Sequence, residues 1–182
     1  LQETFRIAGI PYKVVGSYDF FERKEVRDIL AYLRLACNPH AQASFRRVVN
    51  YPARGIGLVT LEKVEAWREN QRSAYSATRA FLENDGSSLP VRTRRALQSF
   101  MDLIRRSQEQ VQQAKGKALL AFFDSYLDDA GVRDDLIVRG TGTYKVLASV
   151  RVLMERGLEA GAFSTIQGFL ERITMEQRES DY

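Results

Sequence analysis

An arginine and two glycines stand close together in the segment NYPARGIG, residues 50–57. Glycine has no Cβ atom, so Gly55 and Gly57 leave the backbone N–H groups open to a ligand. Arg54 adds a cation, and the helical pattern that follows would bring a positive helix N-terminus to the same place. These residues suit binding of a phosphate through the main chain. A tight turn between two helices is the alternative, and the residues alone leave both interpretations open.

A second segment, RGTGTYK at residues 139–145, repeats the arrangement of arginine, glycines and a helix start. It is not a Walker A loop, because its glycine spacing is different and no Ser or Thr follows the lysine. Thr143 is predicted to cap the following helix. The segment is a second candidate for backbone contact, through Arg139, Gly142, Thr143 and Lys145.

The other chemistry-bearing residues predict no catalytic or metal site. His40 is the only histidine and Cys37 the only cysteine, which leaves neither a zinc ligand set nor a Cys–His or Ser–His–Asp arrangement. A single cysteine also excludes an internal disulfide and fits an intracellular setting. The paired acids at 128–129 and 134–135 flank Gly131 and indicate a solvated loop. We therefore predict no enzyme activity and no metal in this chain.

The composition is that of a globular domain. Of 182 residues, 45% are hydrophobic and 27% charged, which is ordinary for one domain with its own core. No apolar run approaches the roughly 20 residues that span a bilayer, and the first residues do not resemble a signal peptide. The missing initiator Met suggests a piece of a longer chain. A net charge of +4 permits a nucleic-acid partner without demanding one.

Helical periodicity dominates from Phe21 onward. Val26, Ile29, Leu30 and Leu33 recur at steps of three and four residues, which predicts an amphipathic helix ending at Asn38-Pro39. Similar patterns follow along the chain, so we predict an all-α bundle of short helix–loop–helix units. Residues 132–145 are predicted to form a glycine-broken connector.

Two further helices carry predictions about their faces. In residues 40–50 the apolar side chains should point inward and Arg46 and Arg47 outward, either as solvated charges or as part of a phosphate track. In the helix after Gly57, the face made by Val59 or Leu58 with Leu61, Val64 and Trp67 should be buried.

Residues 12–15 instead predict a short strand, because Pro11 and the β-branched pair at 14–15 favour an extended backbone. No partner strand lies nearby in the sequence, and a lone strand is not stable. We therefore expect this strand to belong to a sheet outside this chain.

The segments GIPYKVVGSYDFFERKEVRDILAYLRLACNP and SFRRVVNYPARGIGLVTLEKV together resemble the UvrD/Rep/PcrA group of superfamily 1 DNA helicases. The resemblance is close over residues 9–64, and beyond about residue 70 only the helical character agrees. It implies that residues 1–16 are the end of a RecA-like domain (2A) with its hinge, and that residues 17–182 are the inserted helical subdomain 2B. The hinge would include Gly16, Phe20, Phe21 and Arg23.

The resemblance also implies a function. The parent would be an ATP-dependent helicase moving 3′ to 5′, with its ATP and Mg²⁺ sites outside this chain and no cofactor within it. The G-I-G turn would contact duplex DNA near a junction with single strands, through Gly55, Ile56 and Gly57, with Arg54 and Thr60 as neighbours. The partners would be this DNA and the rest of the helicase chain, in the cytoplasm at the bacterial nucleoid. The alternative is a protein-interaction module that docks a repair or replication partner.

Overall fold

The computed structural model describes residues 18–180. These residues form ten α-helices and two short 3₁₀ turns, and no strand occurs among them, as predicted for an all-α bundle. The predicted strand at residues 12–15, and Gly16, lie outside the described residues. The helices are α1 Tyr18–Phe21, α2 Lys24–Cys37, α3 Gln42–Val48, α4 Leu58–Ala66, α5 Ala74–Asn84, α6 Val91–Gln113, α7 Ala118–Asp129, α8 Val132–Arg139, α9 Thr141–Glu159 and α10 Ile166–Ser180.

Helix α2 forms the centre of the bundle. Val26, Ile29, Leu30 and Leu33 are all buried, as their spacing predicts. The helix packs against α3, α6, α9 and α10, so most of its circumference is covered and only its ends and one charged stripe reach solvent. Its central position lets one side chain of α2, that of Tyr32, contact both the loop that follows α3 and Tyr126 of α7.

The chain enters the bundle through a pair of buried aromatic residues. Phe20 and Phe21 are fully buried in α1 and their rings meet edge-on, with centroids 5.4 Å apart. The guanidinium of Arg23 lies 6.0 Å from the Phe20 ring. Helix α1 also contacts α10, so the two ends of the described chain lie side by side. This position suits the predicted hinge, which stays a prediction.

The predicted connector over residues 132–145 is wrong. Helix α8 occupies Val132–Arg139, and α9 begins at Thr141 after one intervening glycine. Val132 and Leu136 are buried one helical turn apart, and this anchors α8 although the segment is short and rich in charge. Gly131 and Gly140, both at positive φ, confine the chain reversals to single residues.

The predicted buried face of α4 is also partly wrong. Leu58 and Val59 are 73% and 69% exposed, whereas Thr60 and Val64 are the buried residues of this helix. Leu61 and Trp67 are half-buried. The first two residues of α4 therefore project from the bundle, and the helix is held by Thr60 and Val64.

Candidate nucleic-acid interface

The segment at residues 50–57, called here the first glycine turn, is a loop fixed by hydrogen bonds and by one buried side chain. It begins with a cis peptide between Tyr51 and Pro52. The side-chain oxygen of Asn50 accepts hydrogen bonds from the backbone N–H groups of Arg54, at 2.8 Å, and Ile56, at 3.1 Å. Gly55 has a φ of +76°, a conformation that favours glycine. The Ile56 side chain is buried, so the turn is attached to the core at its centre.

Gly57 is exposed and immediately precedes the first residue of α4. Its φ of −81° is ordinary, and a Cβ atom added there would meet nothing within 4 Å. The fold itself therefore does not require glycine at this position. The N–H groups of Thr60 and Leu61 donate to the Gly57 carbonyl, at 3.1 and 3.2 Å. Those of Leu58 and Val59 have no acceptor within the helix, and the first turn of α4 contains no acidic residue. This end of α4 is open and favourable to an anion.

Arg54 points into the protein. Its Nη1 donates to a set of backbone carbonyls, and its Nη2 donates to the Tyr32 hydroxyl at 2.7 Å and to the carbonyl oxygen of Ala130 at 3.0 Å. The guanidinium carbon lies 5.0 Å from the centre of the Phe100 ring. The carbonyls that face Nη1 belong to Val48 at 3.1 Å, Val49 at 3.5 Å, Tyr51 at 2.8 Å and Pro52 at 3.2 Å.

We call these groups around the guanidinium the Arg54 cage. In this arrangement the guanidinium donates its hydrogen bonds to groups of the protein itself. The glycine backbone of the turn faces the solvent. Thr60, predicted as a neighbouring contact, is also buried, at 8% exposure. Of the predicted contact residues, Gly55 and Gly57 are the exposed ones, and Ile56 offers only its main chain.

Tyr32 links Arg54 to the middle of the bundle. Its hydroxyl donates to the carbonyl of Tyr51 while accepting from Arg54, and its own carbonyl accepts from the Tyr126 hydroxyl at 3.0 Å. Burial raises the pKa of Tyr32 to about 12, against the opposing effect of the nearby Arg54 cation. The phenol therefore stays protonated at neutral pH and can act as donor and acceptor together.

The second glycine turn, residues 139–145, is a different structure. Gly140, at a φ of +120°, ends α8 and precedes α9. Arg139 pairs with Asp135 at 2.8 Å. The prediction that Thr143 caps the following helix is wrong, because α9 begins two residues earlier, at Thr141. The Thr143 hydroxyl instead donates to the carbonyls of Leu136 and Gly140, at 3.0 and 2.8 Å.

The other two candidates of the second turn are exposed. Gly142 lies in the first turn of α9, and a Cβ atom there would meet nothing within 4 Å. Lys145 is exposed and makes no ion pair with any of residues 18–180. Both residues are therefore open to a ligand, in contrast to Thr143.

The fold brings the two glycine turns together. The Arg139 guanidinium lies 5.4 Å from the centre of the Tyr51 ring. Pro52 lies 3.8 Å from the point where a Cβ atom of Gly131 would stand, and the carbonyl of Ala130 belongs to the Arg54 cage. Residues 51–54 thus lie against the α7–α8 junction and against the end of α8.

Arg46 and Arg47 on α3 have different surroundings. Arg46 is exposed and pairs with Glu65 of α4 at 2.8 Å. Arg47 is less exposed and donates to Asp28 at 2.7 Å, a buried carboxylate that also pairs with Lys24. A buried carboxylate needs such partners, so Arg47 holds α3 to α2. Arg46 is the more available cation for an outside ligand.

Sequence reasoning missed Asn50 and Tyr32, which shape the first turn from opposite sides. A signal for Asn50 existed, because Asn side chains commonly bond to backbone groups a few residues further along a turn. Tyr32 gave no such signal, because it reads as one more apolar residue of α2 and its partners lie far along the chain.

The described residues hold no group of His, Cys, Asp or Glu suited to a metal ion. No helix within residues 18–180 is long and apolar enough to cross a membrane. His40 shares a hydrogen bond of 2.7 Å with the hydroxyl of Ser73, the N-cap of α5. Its pKa is lowered by burial and by the nearby Arg72, which fits a neutral structural side chain.

Comparison with known proteins identifies the family to which this chain is related. Residues 1–130 match the family model described as the UvrD-like helicase C-terminal domain. DNA helicase II of Escherichia coli (strain K12) is 39% identical over 134 residues, 73% of this chain and 18% of that protein. The ATP-dependent DNA helicase Rep of Buchnera aphidicola subsp. Baizongia pistaciae is 42% identical over 103 residues, 57% of this chain and 15% of the relative.

The ATP-dependent DNA helicase PcrA of Bacillus subtilis (strain 168) is 39% identical over 104 residues, again 57% of this chain and 14% of the relative. The chain thus spans less than a fifth of each of these relatives. The family model covers both the helices that build the Arg54 cage and the first glycine turn, up to the carbonyl of Ala130. The chain belongs to the UvrD-like helicase family and carries its C-terminal domain.

Proposed function

We propose that this chain is the 2B subdomain of an ATP-dependent 3′–5′ DNA helicase and that it contacts duplex DNA next to a single-strand junction. Its relatives are named as DNA helicases. The observation that carries the DNA contact is the exposed Gly57 in front of α4, where the fold leaves room for a close ligand. The contact is to phosphate and is therefore independent of base sequence.

The second glycine turn extends this contact surface. Gly142 and Lys145 are exposed beside the Arg139–Tyr51 contact that joins the two turns. Main-chain N–H groups at the start of α9 and the Lys145 ammonium are both suited to phosphate oxygens. Arg46 on α3 adds a further exposed cation. A duplex held at two such points would be gripped without any base being read.

The test is fluorescence anisotropy of a labelled DNA hairpin with a single-stranded tail, titrated at several salt concentrations. The informative variant is Gly57→Glu, because the backbone at Gly57 tolerates a side chain. We expect a loss of affinity of at least about 10-fold, since the carboxylate would occupy and repel the phosphate site. The slope of log K against log salt should also become less steep.

Two variants serve as controls. Gly57→Gln has nearly the same bulk without the charge, and it separates steric blocking from repulsion. Gln112→Glu places the same negative charge on an exposed position of α6 and should bind as the wild type does. Equal affinity of the wild type and Gly57→Glu would contradict a phosphate site at this turn.

The ATP and Mg²⁺ of the reaction belong, in this proposal, to other parts of the helicase chain. The 182-residue chain alone should then show no DNA-stimulated ATP hydrolysis, and measurable hydrolysis would contradict this division of labour. The proposal places the protein with the chromosome, at the nucleoid in the bacterial cytoplasm. Its hinge would lie at α1, where Phe20, Phe21 and Arg23 meet the rest of the chain.

A docking site for a repair or replication protein is the second candidate function. Leu58 and Val59 are exposed beside an apolar groove of about 300 Å³ between α3 and α4. Adjacent exposed aliphatic side chains are typical of protein contacts. Binding through this groove should depend little on salt, in contrast to phosphate binding. The groove is lined by Phe45, Val49, Leu58, Leu61, Val64 and Ala74, with charged residues at its rim.

A further inference from the structure

We infer that Arg54 is a positioning residue of the DNA contact: it fixes the first glycine turn against α2, α6 and the α7–α8 junction, and it does not bind phosphate itself. The part of this inference that concerns DNA binding rests on the proposed function. It assigns to the cation of the turn a function opposite to the one that the sequence suggests, in which Arg54 would be the charged contact.

The hydrogen bonds of the guanidinium carry this inference. Nη1 is within 3.5 Å of four carbonyl oxygens of residues 48–52, and Nη2 donates to Tyr32 and Ala130. These partners lie up to 76 positions away along the chain. A planar guanidinium with five fixed donors can serve acceptors on several sides at once. The side chain thus joins three separate parts of the fold to the turn.

The same contacts make direct phosphate binding unfavourable. To reach a phosphate, the guanidinium would have to leave the carbonyls of Pro52 and Ala130, at 3.2 and 3.0 Å, and the hydroxyl of Tyr32. Acceptors shielded from water and left without a donor are costly. The Phe100 ring beneath the guanidinium adds a cation–π contact that would also be lost.

The consequence is a fixed direction for the start of α4. Arg54 immediately precedes Gly55, and the N–H groups of Arg54 and Ile56 are held by Asn50. Three residues later Gly57 begins the exposed end of α4. With the cage on one side and Asn50 on the other, residues 54–56 have little freedom, so the N–H groups of the helix start point at one place in space.

The first experiment is hydrogen exchange by NMR on Arg54→Lys and Asn50→Ala. Lysine keeps the charge but has three donors on a flexible stem, so it cannot fill the cage. We expect the amide of Ile56 and those of Thr60 and Leu61 to exchange at least about 10-fold faster than in the wild type. Amides in the middle of α10 should change less. Unchanged protection of the turn in Arg54→Lys would overturn the inference.

The second experiment measures hairpin DNA affinity against salt for Arg54→Lys, Arg54→Gln and the control Arg79→Gln. Arg79 is an exposed arginine on α5 paired with Glu83. If Arg54 positions the turn, both Arg54 variants bind about 10-fold more weakly with an unchanged salt slope, since no phosphate contact is lost. If Arg54 contacts phosphate, Arg54→Lys retains most affinity, Arg54→Gln lowers the slope by about one contact, and the inference is overturned.

The two hypotheses fail in different ways. A wild-type chain that does not bind the hairpin contradicts the proposed function, and the exchange experiment still decides whether Arg54 fixes the turn. A wild-type chain that binds, together with an Arg54→Lys variant of equal affinity and equal exchange, contradicts only the inference. Rescue of affinity is not expected from any cation other than arginine, because the geometry of the donors matters more than the charge.

Discussion

The two glycine turns share the pattern Arg-Gly-x-Gly at residues 54–57 and 139–142, yet they have opposite structures. In the first, the arginine points inward and the residue between the glycines, Ile56, is buried. In the second, Arg139 lies at the surface, paired with Asp135, and the residue between the glycines is the exposed Thr141 that begins α9.

What precedes each arginine accounts for the difference. Arg139 is the last residue of α8, so its side chain lies on a helix surface one turn after Asp135 and pairs with it. Arg54 follows a loop in which the carbonyls of Val48, Val49, Tyr51 and Pro52 face its guanidinium. An inward ring of acceptors requires a donor, and the arginine provides it.

The same Arg-Gly-x-Gly pattern therefore presents different chemical groups to a ligand in the two turns. At the first turn the Arg54 guanidinium is bonded within the protein, and a ligand would meet only backbone groups. At the second turn a ligand would meet backbone groups and the nearby ammonium of Lys145. The first turn depends on a buried network, and the second depends on local helix geometry. Substitutions at matching positions should therefore have unequal effects.

The largest difference is expected between Arg54→Met and Arg139→Met. Loss of the half-buried guanidinium leaves acceptors of the cage unpaired, and we expect the free energy of unfolding to fall by about 1–3 kcal/mol. Arg139 makes a partly exposed i,i+4 pair, whose loss should cost about 0–1 kcal/mol. Urea unfolding followed by circular dichroism measures both. Equal losses would show that the two arginines have similar structural weight.

Alkaline pH should weaken the network of the first turn. Burial raises the pKa of Tyr32 to about 12 in the native state, whereas the ordinary value is about 10. A raised native pKa means that the unfolded chain releases this proton first, so the contribution is intact below pH 10 and is lost between pH 10 and 12. Burial, with Asp135, also raises the pKa of Tyr51.

We expect the free energy of unfolding to fall by about 1 kcal/mol per pH unit from Tyr32 alone in this range. Urea titrations at pH 9, 10 and 11 give the slope, and the Tyr32→Phe variant should show a smaller one. Raising the salt concentration should scarcely alter this dependence, because the network is buried, whereas the Arg139–Asp135 pair is open to screening. A free energy that stays constant up to pH 11 would contradict the role of Tyr32.

The glycines should respond to alanine with opposite signs. Gly55 has a φ of +76°, so Gly55→Ala should lower the free energy of unfolding by about 1 kcal/mol. Gly142 lies in a helix with open space around the position of a Cβ atom, so Gly142→Ala should raise it by about 0.5 kcal/mol. Thermal unfolding of the two variants beside the wild type decides the matter, and the same sign for both would contradict the assigned backbone conformations.

Local patterns in the sequence predicted much of this fold. The periodicity of Val26, Ile29, Leu30 and Leu33 gave the central helix, because burial of a regular apolar stripe is a local property of the chain. The helical class followed from the same pattern repeated along the chain. The segment at residues 50–57 was recognised as a glycine turn before a helix, and the structure contains that turn.

Features that depend on distant contacts were not predictable in this way. The sequence gives no sign that Arg54 is paired, because its partner Ala130 is 76 residues away. The direction in which the backbone carbonyls of a loop point also cannot be predicted from residue types. Leu58 and Val59 fit the apolar face of α4, but both side chains are exposed in the structure. In α8, two buried residues outweigh a composition that favours a loop.

A small effect is expected at Thr143, which was predicted as a helix cap and lies instead within α9. Its hydroxyl donates to the carbonyls of Leu136 and Gly140, so it closes the single-residue gap between α8 and α9. Thr143→Val keeps the shape and removes both bonds, and should lower the free energy of unfolding by about 0.5–1 kcal/mol. Thr143→Ser keeps the hydroxyl and should stay closer to the wild type. If valine is as stable as threonine in urea unfolding, helix geometry alone holds the second turn, and its contrast with the caged first turn becomes sharper.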